Sequence, residues 1–324
     1  MNNGWRLRLR RSEVGDRVAL CATLAALLEV SAYPKPGNVH RTRDIPGTRY
    51  EHFLAGGIAM APAMRELALR GYDVRRGSAS WAEVEVGTHI LEAVRDMLSW
   101  QRGGNVNLGV ILLLAPLAAA GGSALREDAV DVGDLRAALK KVIRSTTPDD
   151  VAAVYEAIRL AVRPRVLGEV EELDVFDESA VERIREEGLT LLDVFRRCAH
   201  RDSICREWTS DFEITFTDGY PYLREAVEAS GDVNSAVVDT FLLLLSKHPD
   251  SLIQRKSGAE KALEVSEKAR RILDEGSMLS ERGRELLWAL DRELHEAGGA
   301  LNPGTTADLT AASLFVLLLE GWRP

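Results

Sequence analysis

Cysteine and lysine are both scarce, and each shortage excludes something. The 324 residues include three cysteines, Cys21, Cys198 and Cys205. They are odd in number and form no C-x-x-C pair, so neither a disulfide framework nor a cysteine zinc site is expected, and reduced cytosolic thiols are. Positive charge is in deficit as well. Against 41 Lys and Arg stand 50 Asp and Glu, a net charge of −9, which argues against a general nucleic-acid binder because such a protein needs a basic face. The longest apolar runs, LGVILLLAPLAAA (108–120) and FLLLL (241–245), are too short to span a bilayer. Arg6, Arg8, Arg10 and Arg11 precede an apolar stretch, but Glu13, Asp16 and Arg17 interrupt it, so it does not read as a signal peptide. There is no repeat of fixed period and no low-complexity linker. Glu51 lies beside His52 without the H-E-x-x-H spacing of a zinc protease. A soluble, cytoplasmic protein is expected, with one domain over 1–324 and a loose basic tail over 1–11.

What is present is helical periodicity in almost every window. Ser12 is placed to cap a helix running to about Ala32, and Tyr50–Arg70 gives a second. Ser80 is placed to cap WAEVEVGTHILEAVRDMLSW, whose apolar residues recur at i, i+3, i+4 and i+7. A nearly all-apolar helix after Gly103–Gly104 is expected to be buried on every side. Thr147 caps a helix with Pro148 at its first position. Further helices are expected over roughly 178–208, 221–230, 232–247, 258–275, 281–297 and 303–321. DFEITFT (211–217) is the only extended candidate, and one strand makes no sheet. The fold class is all-α, with a buried central helix. The tryptophans at 81, 100, 208, 288 and 322 are expected as packing anchors, His52 and His89 as core or surface residues, and the acidic run 168–180 as a solvated connection.

Four stretches stand apart from this pattern. In YPKPGNVHRTRD (33–44), Pro34 and Pro36 exclude helix at the residues before them, and Gly37 permits a positive φ. The result is a stiff elbow that aims Lys35 and Asn38. Lys35 is the only lysine among the first 139 residues, and an ammonium is a compact phosphate binder. GGNVNLG (103–109) offers Asn105 and Asn107. KHPDSLIQRKSG (247–258) sets Asp250 and Ser251 against Arg255 and Lys256. In LNPGTTADL (301–309), Asn302 is expected to cap a helix and Pro303 to open it. Gly304 there allows close approach, and Thr305 and Thr306 offer hydroxyls beside unpaired N–H groups, which makes an anion seat with Asp308 one turn in.

Together these stretches resemble the triphosphoribosyl-dephospho-CoA synthases. EVSAYPKPGNVH is similar to that family's E-V-x-x-x-P-K-P-G-L-V-D, GGNVNLG to G-V-N-T-H-K-G, HPDSLIQRKSG to a D-[DS]-[TN]-[LI] stretch ending in H-R-G-G, and NPGTTADLTAA to S-P-G-G-S-A-D-L-L-A. The segments keep the family's order over residues 29 to 312. The departures are His40 for an aspartate, Val106, Asn107 and Leu108 for Thr-His-Lys, and RTRDIPGTRYEHF for N-G-A-H-x-D-M. They mark a divergent branch.

The resemblance implies an all-helical transferase that joins the triphosphoribosyl part of ATP to the 2′-hydroxyl of 3′-dephospho-CoA and releases adenine. Magnesium would accompany the ATP. Such a reaction must clamp several phosphate charges, assist the departing base and deprotonate a hydroxyl. Lys35, Arg41, Arg43, Arg255 and Lys256 are then expected to meet phosphates. Gly37, Asn38, His40, Asn105, Asn107, Ser251, Asn302, Gly304, Thr305 and Thr306 are expected to complete the nucleotide site. Glu51 and Asp250 are the candidates for catalysis, and Asp44, Asp250 and Asp308 for magnesium. The partners expected are small molecules, ATP and 3′-dephospho-CoA or a related precursor, with no nucleic acid and no membrane; self-assembly is left open. Two other functions stay open: transfer to a different cofactor precursor, such as a pterin-type one-carbon carrier, and nucleotide binding without catalysis.

Overall fold

A computed structural model describes residues 9–162, 173–177 and 179–324. Most of the expected tail over 1–11 and of the acidic run over 168–180 lies outside the described residues. Among the described residues there is no strand, only isolated bridges in turns, so the chain is all-α. No helix among the described residues is long and apolar enough to cross a membrane.

Two apolar helices form the centre. The first, α5 (Leu108–Ala124), buries all but Gly109 and Ser123. The second, α16 (Gly304–Glu320), packs against it and is buried from Thr305 to Leu319 except at Asp308. The expectation of one buried central helix is thus met twice. Around them pack α1 (Arg11–Ser31), α3 (Ala61–Arg76), α6 (Val132–Arg144) and α12 (Val233–Lys247). The α3 and α5 backbones touch: a Cβ on Gly71 would lie 1.9 Å from the Ala119 carbonyl oxygen, and one on Gly122 would lie 1.9 Å from that of Ala68.

Several boundaries differ from the sequence reading. Helix 50–70 is two helices, α2 (Tyr50–Ala59) and α3, because Pro62 lacks the N–H that a continuous helix would need there. Ser80 is not a cap: it lies just ahead of a short turn, Ala82–Val84, whose cap position is the next residue. The Ser80 amide and hydroxyl both donate to Glu83, Glu85 then turns left-handed at φ 51°, and α4 (Val86–Ser99) begins after it. The Thr147 cap on α7 (Pro148–Ala161) is as expected. The stretch 178–208 holds three short helices, α8 (Ala180–Glu187), α9 (Leu191–Cys198) and α10 (Ser203–Thr209).

The expected strand at 211–217 is helical. The buried Glu207 carboxylate accepts the Ile214 amide at 2.8 Å, the Thr215 amide at 3.0 Å and the Thr215 hydroxyl at 2.5 Å, so it starts a π-turn over Thr215–Gly219 that leads into α11 (Tyr220–Ser230). Helix 258–275 is α14 (Ala259–Asp274), preceded across Gly258 by the short α13 (Ser251–Ser257). The last surface helix is α15 (Glu281–Glu296).

The cysteine reading is also corrected. Cys198 and Cys205 form a disulfide, because the turn between α9 and α10 brings their Cα atoms to 5.8 Å, a separation that spacing alone did not reveal. Cys21 is free and buried, and burial pushes its thiol up. Trp208 is a packing anchor, fully buried with its indole N–H on the Leu112 carbonyl at 3.1 Å, whereas Trp100 is exposed.

Candidate active site

The elbow is held from three sides. Asn234 of α12 brackets Tyr33, accepting its amide at 3.0 Å and donating to its carbonyl at 2.8 Å. Gly37 has the expected positive φ of 70°, and its amide donates to Asp291 of α15 at 3.3 Å. The Asn38 side chain donates to the Pro303 carbonyl at 3.3 Å, just ahead of α16. So clamped, the elbow turns Lys35 inward. Its ammonium is completely buried and donates to Glu29, on the last turn of α1. Lys35 therefore meets a carboxylate of its own chain, not open solvent. Burial pushes the Lys35 ammonium down and the Glu29 carboxyl up, and their mutual attraction opposes both shifts.

The start of α16 is not the open anion seat expected of it. Asp250 fills it. One Asp250 oxygen accepts the Leu252 and Ile253 amides at 2.8 and 3.0 Å, capping α13, and the other accepts the Thr306 amide and hydroxyl, both at 2.8 Å. Four bonds occupy the lone pairs of a carboxylate, so Asp250 is a brace and not a free base or metal ligand. Burial raises its pKa, and these donors oppose the rise. Ser251 and Thr305 are buried and bonded to each other at 3.0 Å. A Cβ on Gly304 would meet the Leu252 side chain at 2.8 Å, so its approach serves packing. Pro303, not Asn302, stands at the cap position, and the Asn302 side-chain oxygen is buried with no partner.

Asp308 is the opposite case. It has no hydrogen bond or ion pair among the described residues, and its carboxylate lies against the first turn of α5, where a Cβ on Gly109 would fall 2.0 Å from Oδ2. Its pKa is raised well above the ordinary carboxylate value by burial, then by repulsion from Glu29, Asp250 and Asp202, with Arg255 opposing. Arg255 pairs with Asp202, the N-cap of α10, and its Nε is buried without a partner. Glu29, Lys35, Asp202, Arg255 and Asp308 thus form one charged cluster around the starts of α5 and α16.

Other predicted residues serve the frame or the rim. Asn107 is buried and, with its amide oriented to satisfy both ends, accepts the Gly57 amide at 3.0 Å, tying α2 to α5. Asn105 accepts the Leu108 amide at 3.1 Å. Asp44 accepts the Tyr50 amide at 2.8 Å, which caps α2. Arg41 is exposed and stacks 4.0 Å over Tyr33, and Lys256 reaches the Gly299 carbonyl at 3.1 Å. Glu51 is exposed on the first turn of α2 with no partner among the described residues. His40 turns away from the cluster to meet Asp291, and Arg43 pairs with the same aspartate at 3.1 Å. Sequence reasoning passed over Glu29 as a site residue, together with Asp202, Asp291 and His295. The signal for Glu29 was a lone carboxylate in the apolar AALLEV, six residues before Lys35.

The sequence profile of the ATP:dephospho-CoA triphosphoribosyl transferase family matches residues 15–324. The chain belongs to that family. A Salmonella choleraesuis protein described as a candidate 2-(5''-triphosphoribosyl)-3'-dephosphocoenzyme-A synthase is 25% identical over 299 residues, covering 90% of this chain and 87% of its own. The Klebsiella pneumoniae synthase is 23% identical, with 97% and 94% covered. A crystal structure assigned to a triphosphoribosyl-dephospho-CoA synthase of Archaeoglobus fulgidus is 29% identical, with a TM-score of 0.60 over 83% of this chain and 100% of that one. The chain is accordingly a transferase of the triphosphoribosyl-dephospho-CoA synthase family.

Proposed function

We propose that this transferase moves the triphosphoribosyl group of ATP onto the 2′-hydroxyl of 3′-dephospho-CoA, releasing adenine, and that the cluster around Asp308 seats the magnesium-bound triphosphate. The carrying observation is Asp308 itself, a carboxylate with no hydrogen bond or ion pair among the described residues and a pKa raised by burial and then by repulsion from Glu29 and Asp250. Such a site favours a hard dication with oxygen ligands, and Asp308 and Glu29 are the residues that would hold it. When bound, magnesium would neutralise phosphate and carboxylate charge.

The chain's own groups supply the rest. Lys35 lowers the cost of gathering carboxylates in a buried place. Arg255, fixed by Asp202, offers an unpaired Nε, and Asn302 offers an unpaired oxygen. Both are suited to a polar ligand. Arg41 and Lys256 add exposed positive charge. Asp250 is already saturated, which leaves Glu51 as the carboxylate free to take the acceptor's proton. Its helix is joined to the start of α5 through Asn107.

Incubation with ATP, magnesium and 3′-dephospho-CoA should release adenine in step with an adduct whose mass is that of ATP plus 3′-dephospho-CoA less adenine. Adenine release that is indifferent to the acceptor would overturn the choice of acceptor. Undiminished turnover by a folded Asp308→Asn variant would overturn the placement of the triphosphate.

A further inference from the structure

On the other face of the elbow lies a second cluster. Asp291 and His295 sit one turn apart on α15, at i and i+4, so both side chains leave the same face of the helix. His40 comes from the elbow to meet them. Its Nε2 lies 3.5 Å from Asp291 Oδ1, and His295 Nδ1 lies 3.0 Å from the same oxygen. The rings of His40 and His295 meet edge to face at 5.8 Å. One potential ligand atom from each of the three lies within 4.8 Å of the others. His40 and Asp291 are completely buried, yet among the described residues Nε2 of His40 has no hydrogen-bond partner, and neither has Nε2 of His295.

Internal hydrogen bonding accounts for only part of the cluster: His295 Nδ1 meets the Asp291 backbone carbonyl at 2.9 Å as well as Oδ1, while both Nε2 atoms are without a partner among the described residues. The surroundings also offer supports for an ion. The Thr42 amide donates to His40 Nδ1 at 3.4 Å, which puts the resting proton on Nε2; an ion there would shift that proton to Nδ1, where Thr42 Oγ1 at 3.0 Å can accept it. Arg43 binds the other Asp291 oxygen at 3.1 Å, fixing the carboxylate and leaving Oδ1 to the histidines and the Gly37 amide. The Oδ1 spacings of 3.5 and 3.0 Å bracket the roughly 3.3 Å between ligands that each stand about 2.0–2.1 Å from a tetrahedral ion.

We propose that His40 Nε2, Asp291 Oδ1 and His295 Nδ1 bind a transition-metal dication of the zinc class. Binding moves the His295 proton from Nδ1, where it faces the Asp291 backbone carbonyl, to Nε2. Two imidazoles and one carboxylate suit zinc, cobalt or iron, and not magnesium, so this site is distinct from the carboxylate cluster at Asp308. The ion would fasten the elbow to α15 on the side opposite Lys35. The proposal does not rest on the reaction, and it is tested without ATP.

The full chain, stripped with a chelator, should take up one equivalent of cobalt(II) with visible ligand-field absorption. Zinc should displace the cobalt and excess magnesium should not. His295→Gln and Asp291→Asn, checked for fold by circular dichroism, should each weaken cobalt binding by about 100-fold or more, beyond what is lost when a supporting group alone is removed. Crystals of the unaltered protein grown with zinc give a measurement independent of any variant, an anomalous-scattering peak between the three side chains. Absence of saturable binding to the parent, or a peak elsewhere, overturns the proposal.

Discussion

Asp250 and Asp308 both stand at the start of α16, and in both burial pushes the pKa up. They differ in what meets them. Asp250 receives four hydrogen bonds from α13 and α16, while Asp308 receives none among the described residues. A satisfied buried carboxylate is part of the frame. An unsatisfied one, crowded by Glu29, is a place where the protein has kept charge available for something else. Desolvation raises the pKa of both and so does not separate framework from function here; the inventory of partners does.

The largest effect should follow from breaking the frame. Asp250→Ala would strand the amides of Leu252, Ile253 and Thr306. Loss of the cap, which covers the Leu252 and Ile253 amides, costs about 1 kcal/mol and the stranded Thr306 amide about 1–3 kcal/mol, so a total loss of roughly 2–4 kcal/mol is expected in urea unfolding. A shift under 1 kcal/mol would remove the distinction between the two aspartates.

Next comes Asp308→Asn, which should do the reverse. Melting should be unchanged or raised, because a repelled carboxylate becomes neutral. Turnover should fall by about 10²–10³, the usual loss when a preorganised electrostatic partner of the transition state is removed. A variant that melts early but turns over normally would exchange the roles assigned to the pair.

A third, smaller effect is the pH dependence of stability. Asp308 has a folded pKa above its unfolded value, so the native state binds more protons than the unfolded state between the two. Stability attributable to this group is therefore full below the unfolded value, about 3.9, and is lost as pH rises toward the folded value. Glu207, pushed up to about 7 by burial, contributes with the same sign below neutrality. Unfolding free energy measured from pH 4 to 7 should fall less steeply in Asp308→Asn than in the parent. Equal slopes would mean that the Asp308 carboxylate is relieved of its neighbours' repulsion in the native state.

Much of this contrast could not be seen along the chain. Local chemistry was legible. Pro34, Pro36 and Gly37 make the elbow, Thr147 and Pro148 begin a helix, and the apolar run after Gly104 is buried. Partners distant in sequence were not. The α16 start has every local mark of an anion seat, but the anion is Asp250, 56 residues earlier. Lys35 reads as a phosphate binder because nothing local shows that the elbow folds back onto Glu29. DFEITFT alternates like a strand, yet the Glu207 carboxylate caps it into a helical turn. Asp291 and His295 lie in a charged helix whose pattern reads as surface, and only His40, brought in from the elbow, gives their spacing meaning. Family resemblance reached the transferase class through the order of the motifs, and it left the division of labour among the carboxylates to the structure.

The smallest effect should come from the rim, where charge is neither stranded nor saturated. Arg41 is exposed, stacked on Tyr33 and 3.3 Å from Asn234. If it meets phosphate at all, it does so through water-screened attraction, worth about 0.2–1 kcal/mol for an exposed pair. Arg41→Gln should therefore raise KM for ATP by about fivefold or less at low ionic strength, with kcat unchanged. The difference should vanish near 0.5 M salt, where the screening length is only about 4–5 Å. Lys35→Met is the control from the buried side. Its ammonium is sealed from solvent beside Glu29, so its loss should persist at every salt concentration. If the Arg41 effect instead survives high salt, the guanidinium leaves Tyr33 on binding and closes over the ligand, and the elbow's outer face belongs to the site as much as its inner one.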